Sequence, residues 1–399
     1  MALVIKSANL WDGTGASVQT NMSIVMKNGK FTKIAPCPEV IPIEGDQVID
    51  VGGRFVMPGM IDSHVHICMT GDPKDLAESQ NATDSYTALV GADLIRKDLE
   101  AGFTTVRNMG TKNFIDQSVQ KAWKEGKIKG ARIITSGPCI TMTGGHGWMG
   151  GLQSDGEDEC RKNARLLLRN GVEVVKIMAT GGVMTPGVEP GSPQLTEAEI
   201  RAAVEEAHKA GRKTATHAQG TEGIKNAVRA GIDSVEHGIF LDEELLVMMK
   251  ERNTALVPTL VAPWHINQGG VAAGIPAYAV EKSMRVAESH MKSFNMAVKA
   301  GLTIALGTDA GTPLNFHGDN ALELQLMIEN GMTNEQALLA TTKVASQVID
   351  RAHQLGTVEV NKLADLLVVD GNPLEDIQAL VKKTAIQYVI QNGKVVHTR

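Results

Sequence analysis

The chain is poor in cysteine, lacks long uninterrupted apolar runs and carries no excess of basic residues. Its 399 residues include only Cys37, Cys68, Cys139 and Cys160, too few and too scattered for a disulfide framework or a cysteine-type zinc site. Apolar stretches are interrupted by charge, glycine or proline before about 20 residues, the length of a membrane-spanning helix. Lysine and arginine number 39 against 45 acidic residues, a net charge of −6. We therefore expect neither a membrane nor a nucleic-acid partner.

The composition is otherwise that of a globular protein with a large core. Apolar residues make up 43% and charged residues 21%, and the length allows between one large domain and three small ones. The opening MALVIKSANLWDG carries Lys6 and Asp12 inside any hydrophobic stretch, so we do not expect a secretory signal there. A reducing cytoplasm is the expected location.

Both ends of the chain have the alternating pattern of half-buried strands. Residues 1–56 contain ALVIKSANLW, SIVMKNGKFTKIA and QVIDVGGRFVMPG, and residues 358–399 contain ADLLVVDGNP and AIQYVIQNGKVVHT. Alternation favours antiparallel strands, and Asn392-Gly393 is a hairpin-turn signal. We predict that 1–56 and 358–399 pair into one composite β-sandwich domain.

Between these ends, apolar β-branched runs alternate with helical patterns. Eight candidate strands occur, MIDSHVHI, FTTVRNMG, ARIITSGP, VEVVKIMATGG, KTATHAQG, DSVEHGIF, TALVPTL and LTIALGTDAG. Helices are predicted over 196–211, where TEAE resembles a capping box, and over 222–231, which ends in glycine. The pattern predicts a (β/α)8 TIM barrel over 57–357, although a doubly wound open sheet would give the same local pattern. The positions of the polar residues favour the closed barrel.

Metal-binding residue types stand at the ends of these strands. His64 and His66 lie two apart on the first strand, so both imidazoles face the same side. A lone His-X-His motif is weak evidence for a metal site. Further candidate ligands stand near the carboxyl ends of the fourth, fifth, sixth and eighth strands, namely Lys176, His217, His237 and Asp309. In a barrel these ends meet at one face, where active sites are built. Lys176 is notable because VVKIM would bury its ammonium with no evident partner, at considerable cost.

These motifs resemble one family. PGMIDSHVH, VEVVKIMATGG, THAQG, VEHG and LGTDAG, in this order, resemble the amidohydrolase superfamily, in particular its dipeptidases and carboxypeptidases related to imidazolonepropionase. GTVEVNKLADLLVVDGNP is similar to that family's composite β domain. The resemblance implies a homo-oligomer and a binuclear metal site. It assigns His64, His66 and Asp309 to the first metal, His217 and His237 to the second, and Lys176, as N6-carboxylysine, to both.

The chemistry of these residue types fits that assignment. A desolvated lysine has a lowered pKa and can react with carbon dioxide to give an anionic carbamate with two oxygens. Imidazole and carboxylate ligands suit zinc, our first choice, or manganese, cobalt or nickel. We expect a metal-bridging hydroxide to attack an amide carbonyl, with Asp309 carrying the proton to the leaving amine.

Residues near the metal ligands suggest a substrate pocket. His146, on the glycine-rich loop TGGHGW, is predicted to donate a hydrogen bond to the substrate carbonyl or carboxylate. Gln219, two residues beyond His217, is expected to point to the same face as His217. Met178, Met184 and Trp148 are expected to form an apolar wall, and the loop GGVMTPGVEPGSPQLT to cover it. His265 and His317 are weaker candidates, for which a surface position is at least as plausible.

The substrate is the least determined part of the prediction. The resemblance favours Xaa-Pro dipeptides or N-acyl amino acids, yet some relatives have an aromatic residue in place of Gln219 and an arginine in place of Asn226. No arginine stands in the strand-end motifs to clamp a carboxylate, so we expect His146, backbone amides or a basic residue of a more distant loop to bind it. A cyclic-amide hydrolase related to imidazolonepropionase and a non-catalytic scaffold remain alternatives. A nucleotide-binding α/β protein is weaker, because the glycine-rich turns lack the phosphate-binding fingerprint.

Overall fold

The computed structural model describes residues 1–75 and 81–399. The two ends of the chain share one eight-stranded sheet, in the order β17-β16-β15-β5-β1-β2-β3 with β4 beside β1. Its strands are β1 Leu3–Leu10, β2 Gln19–Lys27, β3 Lys30–Pro36, β4 Gln47–Asp50, β5 Phe55–Pro58, β15 Leu366–Val369, β16 Ile386–Gln391 and β17 Lys394–Thr398.

The pairing of β5 with β15 joins the two ends of the chain. These strands are antiparallel, and Asn392-Gly393 forms the predicted hairpin turn between β16 and β17, with both residues at positive φ. The expectation of purely antiparallel strands was wrong for β1, which pairs in parallel with β4 and β5. Those pairs join strands that are not neighbours in sequence, so no tight turn constrains their direction.

The joining strands send alternate side chains to two different cores. Phe55 and Met57 of β5 pack into the main hydrophobic core, whereas Val56, between them, packs into a separate core of the terminal sheet. This is the period of two expected for a strand buried on both faces. The sheet therefore lies against the rest of the molecule and also encloses apolar residues of its own.

The middle of the chain is an α/β region of parallel strands. One sheet has the order β6-β7-β8 and another β10-β9-β11-β12-β13-β14. The strands are β6 Met60–Val65, β7 Phe103–Asn108, β8 Arg132–Ile134, β9 Ile140–Thr141, β10 Leu152–Gln153, β11 Val174–Met178, β12 Lys213–Ala218, β13 Ser234–His237 and β14 Ala255–Val257. Seven of the eight candidate strands are confirmed by β6, β7, β8, β11, β12, β13 and β14.

The eighth candidate, LTIALGTDAG, does not form a continuous strand. It makes isolated bridges from Ile304 to Leu256 of β14 and from Ala310 to Val65 of β6. Its backbone turns at Asp309, where φ is 61°. The Thr308 amide donates to the Asp62 carboxylate as well as to His64 O of β6. This turn and the side-chain acceptor interrupt the ladder.

Backbone hydrogen bonds nevertheless connect the two parallel sheets at both seams. On one side, the Ala305 amide donates to Leu256 O at 3.0 Å and the Ser63 amide to Leu306 O at 2.9 Å. On the other side, the Val174 amide donates to Thr135 O at 3.1 Å, just beyond β8. The eighth candidate segment thus lies between β14 and β6 in space and forms hydrogen bonds with both strands.

Helices alternate with the parallel strands. They are α1 Asp84–Glu100, α2 Ile115–Lys124, α3 Glu157–Arg169, α4 Glu197–Lys209, α5 Thr221–Ala230, α6 Glu243–Glu251, α7 Val261–Gly269, α8 Ala277–Lys299, α9 Leu322–Glu329, α10 Asn334–Ala340, α11 Lys343–Val348 and α12 Gln378–Val381. Short 3-10 turns occupy Cys37–Glu39, Lys112–Phe114, Val271–Ala273 and Lys383–Ala385. No helix within the described ranges combines the length and apolar character needed to cross a membrane.

The predicted helix signals act as expected. Thr196 and Glu199 form the capping box that opens α4, each side chain accepting from the other's backbone amide. Gly231, at a φ of 96°, ends α5 in the left-handed conformation, which glycine adopts without a steric penalty. The capping box thus sets where α4 begins, and Gly231 sets where α5 ends.

Candidate metal centre and active site

The six predicted metal ligands line one cavity. His64 lies in β6 and His66 just beyond it, Lys176 in β11, His217 in β12, His237 at the end of β13, and Asp309 in the segment after β14. His64 Nε2 and His66 Nε2 lie 3.2 and 3.0 Å from Asp309 Oδ1. This His-His-Asp group brings its ligand atoms within 4.8 Å of one another, close enough to hold one metal ion.

The other two histidines continue the cluster. The rings of His64 and His237 have centroids 5.2 Å apart, and those of His237 and His217 are 4.5 Å apart. Burial, together with neighbouring cationic groups, lowers the pKa of both His217 and His237 well below the usual value. Both imidazoles are therefore neutral at neutral pH, the form that binds metal ions.

Lys176 has the orphaned ammonium that the sequence suggested. Its side chain is 1% exposed, and its Nζ has no hydrogen-bond partner among residues 1–75 and 81–399. Burial lowers its pKa to about 8, against the favourable charges of Glu236 and Asp309. A buried, unpaired cation is costly, whereas a neutral or carboxylated lysine among metal ligands is not, so this residue fits a metal centre.

The carboxylate of Asp309 is ionised. Burial would raise its pKa, but His64 and His66 outweigh that effect and hold the pKa well below the usual range. Imidazole nitrogens and a carboxylate are donors that suit zinc, manganese, cobalt or nickel. The residues present therefore fit a divalent metal.

Three residues at the strand ends have left-handed backbone. The φ angles are 73° at His237, 52° at Thr259 and 61° at Asp309. Such angles are uncommon for residues other than glycine and are outliers for a β-branched threonine. Strain of this kind, of order 1 to 3 kcal/mol each, clusters at functional sites. Here it accompanies a hydrogen bond of 2.7 Å between His237 Nδ1 and Thr259 Oγ1.

A buried ion pair behind His64 was missed in the sequence. His64 Nδ1 donates to Glu236 Oε2 at 2.8 Å, and Arg107 Nη2 donates to Glu236 Oε1 at 2.9 Å. Arg107 and Glu236 are 1% and 0% exposed. This carboxylate fixes the ring orientation of His64, the usual role of a partner behind a metal-binding histidine. Arg107 is consequently engaged inside the protein, away from any substrate.

A second polar network supports the loop that carries His66. Asp62 accepts from Thr308 and from Asn320 Nδ2, at 2.7 and 2.8 Å, and burial raises its pKa to about 6. His317 Nδ1 lies 2.8 Å from Asp98 Oδ2, and its Nε2 lies 3.1 Å from His66 O.

His317 is not a surface residue, since its ring bridges Asp98 and the His66 backbone inside the protein. The alternative of a surface position is therefore wrong for His317. His265 is half-buried on α7, and the described cavity wall does not include it. Neither histidine joins the metal ligands.

The candidate metal ligands line a cavity of about 590 Å³. Met178, Met184 and Trp148 line it as predicted, together with Met69, Met109 and Ile239. His146 and Gln219 also line it, and the His146 ring lies 4.2 Å from that of His217. Burial lowers the pKa of His146 to about 4, so its ring is neutral. The loop after β11 contributes Val183, Met184, Thr185 and Pro186 to the wall.

Glycine at position 182 is required by the close approach of two of these rings. A Cβ there would lie 2.7 Å from His146 Nε2 and 2.8 Å from His217 Nε2. Real Cβ atoms essentially never approach other atoms so closely. The absence of a side chain at Gly182 therefore allows both imidazoles to face the cavity.

The chain belongs to the Amidohydrolase family, whose domain matches residues 55–396. It is 32% identical over 370 residues to the ochratoxinase of Aspergillus niger, covering 85% of this chain and 75% of that protein. It is 22% identical over 416 residues to the imidazolonepropionase of Porphyromonas gingivalis, covering 96% and 91%. The solved structure of a Xaa-Pro dipeptidase with bound methionine in its active site has a TM-score of 0.91 at 30% identity, over the full length of both chains. The predicted family is confirmed, and the protein is a hydrolase of the amidohydrolase superfamily.

Proposed function

We propose that the protein hydrolyses an amide bond with the help of two divalent metal ions, and that its substrates are Xaa-Pro-type dipeptides or N-acyl amino acids. One observation carries the proposal: a buried lysine without a hydrogen-bond partner in the described chain lines the same apolar cavity as four histidines and an ionised aspartate. That combination has little structural purpose, because each polar group costs free energy in an apolar interior.

The ligand set divides between two ions. His64, His66 and Asp309 would hold one ion and His217 and His237 the other, with Lys176 as N6-carboxylysine shared between them. We favour zinc, and manganese, cobalt and nickel remain compatible with the ligands. When bound, the ions would supply an activated water and a Lewis acid for the carbonyl.

The chain's own residues account for proton transfer and orientation. The Asp309 carboxylate is ionised and faces the cavity, so it can accept a proton from water and deliver it to the leaving nitrogen. His146 is neutral and lines the cavity beside His217. Its ring would donate a hydrogen bond to the substrate carbonyl oxygen, whose charge grows in the transition state.

The cavity supports a substrate with an apolar part and one polar end. Its wall includes five methionines and Trp148, which suit an apolar side chain or acyl group. The described wall contains no arginine, and its lysines are Lys176 and Lys112, whose ammonium donates to Ala82 O at 2.7 Å. A substrate carboxylate would therefore meet Lys112 or Gln219 rather than a guanidinium.

Similarity to a known dipeptidase supports a dipeptide-type substrate. The Xaa-Pro dipeptidase matches at 30% identity over its full length. The imidazolonepropionase match, at 22% identity, keeps a cyclic-amide hydrolase as the second candidate. A non-catalytic scaffold is disfavoured, because all six candidate ligands line one cavity.

The proposal extends to the scaffold that holds the site. We interpret residues 57–357 as a closed (β/α)8 barrel, which the backbone hydrogen bonds at both seams support. Residues 1–56 and 358–399 would form the composite β-sandwich, supported by the separate apolar core of that sheet. Self-association into a homo-oligomer stays a prediction.

The test is a paired comparison of substrates with zinc-loaded protein. Each Xaa-Pro dipeptide and N-acyl amino acid is assayed beside its carboxamide, with small lactams in parallel. We expect turnover of the acids, with KM rising at least tenfold for the amides because the carboxylate contact is lost. Equal rates for acid and amide, or turnover confined to lactams, would transfer the assignment to a cyclic-amide hydrolase.

A further inference from the structure

Helix α8 holds the loop that follows β11 through two side chains on one face. Tyr278 and Lys282 are four residues apart, the spacing that aligns side chains along a helix. Tyr278 Oη donates to Met184 O at 3.0 Å. Lys282 Nζ donates to Thr185 O at 2.9 Å and also to Val188 O. The backbone around Thr185 is therefore attached to α8.

The Lys282 contact differs from an ordinary surface lysine. The residue is 7% exposed, and its ammonium donates to two backbone carbonyls. A buried ammonium without these acceptors would be costly. If the Thr185 backbone moved away, the buried Lys282 ammonium would lose one of its acceptors, so Lys282 holds that backbone in place.

Thr185 in turn contacts His146 with its hydroxyl group. Thr185 Oγ1 lies 2.8 Å from His146 Nδ1 and accepts from the Gly147 amide at 3.2 Å. The hydroxyl has one proton and two lone pairs, and one lone pair already accepts from Gly147, so its proton is available for donation to Nδ1. With Thr185 as the donor, the proton of the neutral His146 ring lies on Nε2.

We propose that Thr185 and Lys282 are positioning residues, which hold His146 as the Nε2–H tautomer so that it can donate to the substrate carbonyl oxygen. This inference rests on the proposed function insofar as His146 contacts the substrate. The three residues come from separate parts of the chain, since Thr185 and Lys282 are 97 positions apart and His146 and Thr185 are 39 apart.

The proposal predicts a specific failure when the hydroxyl is removed. In Thr185→Val, Nδ1 loses its donor, so the proton can move to Nδ1 and leave Nε2 as an acceptor. An acceptor facing a developing oxyanion repels it. In Thr185→Ser, the hydroxyl and hence the tautomer are retained. Lys282→Met should loosen the loop and thereby weaken the same contact.

The first measurement reads the tautomer directly. Zinc-loaded protein labelled with 15N-histidine is compared with Thr185→Val and Thr185→Ser by NMR, and His146→Gln identifies the signals of His146. We expect protonated Nε2 in the wild type and in Thr185→Ser, and a partial or complete shift of the proton to Nδ1 in Thr185→Val. An unchanged tautomer in Thr185→Val would overturn the proposal, whatever the substrate proves to be.

The second measurement reads catalysis. Thr185→Val should lower kcat by about 10- to 100-fold with little change in KM, the size found for residues that orient a catalytic group, whereas Thr185→Ser should stay within about threefold. Equal losses in the valine and serine variants would indicate a packing effect and would refute the positioning role. If the wild type hydrolyses none of the proposed substrates, the proposed function fails while the NMR result still decides the positioning.

Lys282 has a matched control on the same helix. Arg285 also contacts this loop, through an exposed ion pair with Glu189 at 2.8 Å, a type of contact that contributes little. Lys282→Met should lower kcat about tenfold and increase amide hydrogen exchange in residues 183–189, while Arg285→Met should do neither. Unchanged exchange and kcat in Lys282→Met would remove Lys282 from the proposal.

Discussion

Lys176 gives the proposed metal centre a measurable dependence on carbon dioxide and pH. A carbamate forms when the neutral amine attacks carbon dioxide and releases one proton, so the rate follows the neutral fraction of Lys176. Burial lowers the pKa of this lysine from 10.5 to about 8. At pH 7 about one molecule in ten then carries the neutral amine, compared with roughly one in three thousand for an ordinary lysine.

The sign of the pH dependence follows from that value. The neutral fraction rises with pH, about tenfold between pH 6 and pH 7, and it rises less than twofold above pH 8. With dissolved carbon dioxide held constant, the rate of reconstitution should follow the same curve. An exposed lysine would instead give a rate that keeps rising tenfold per pH unit well beyond pH 8.

The assay starts from protein stripped of metal by a chelator. Zinc is added in degassed buffer or in buffer of fixed carbon dioxide content, and recovery of hydrolysis and bound metal are followed in time. We expect slow and incomplete recovery without carbon dioxide, and 13C incorporation at Lys176 from labelled bicarbonate. Recovery at equal rates in both buffers, with no 13C on Lys176, would refute the carbamate.

Further predictions concern single substitutions at four positions. Lys176→Ala should lose metal and activity together, and Lys176→Arg should fare no better because a guanidinium cannot be carboxylated. Asp309→Asn should retain much of the metal, yet its kcat should fall about 10²-fold or more because the proton carrier is removed. Metal content and turnover of each purified variant check this, and an active Lys176→Arg enzyme would contradict it. Gly182→Ala should impair metal binding and turnover, since its Cβ would overlap two imidazoles; normal metal content and kcat would show that the rings can yield. Glu236→Gln should lower the free energy of unfolding by about 3 kcal/mol, because Arg107 is left buried without its counter-charge. Thermal denaturation measures it beside Glu205→Gln, which removes a solvent-exposed ion pair of Glu205 with Arg161 and should leave the midpoint unchanged.

The candidate metal ligands could be picked out from the sequence because each stands in a short local pattern. His64 and His66 share a strand face through their spacing, and Lys176 is conspicuous as a charge inside an apolar run. Parallel strands direct their carboxyl ends to one side, so residues far apart in sequence were expected to meet. Helix ends at Thr196 and Gly231 were predictable for the same reason, since capping depends on neighbouring residues.

The supporting residues were not predictable, because their partners are distant in sequence. Glu236 contacts His64 across 172 positions and Arg107 across 129, and no periodicity marks such a pair. Thr185 has no motif of its own and acquires a role only through its contacts. The eighth strand was predicted as regular, since the left-handed turn at Asp309 leaves no trace in the apolar pattern.

The metal content of the purified protein tests the central claim most directly. Protein produced in zinc-supplemented medium is analysed for elements and assayed on the same preparation, with Lys176→Ala as the reference. The six ligands around one cavity predict close to two divalent ions per chain in the active wild type. A reproducible ratio of one ion per chain, with full activity, would contradict the binuclear account.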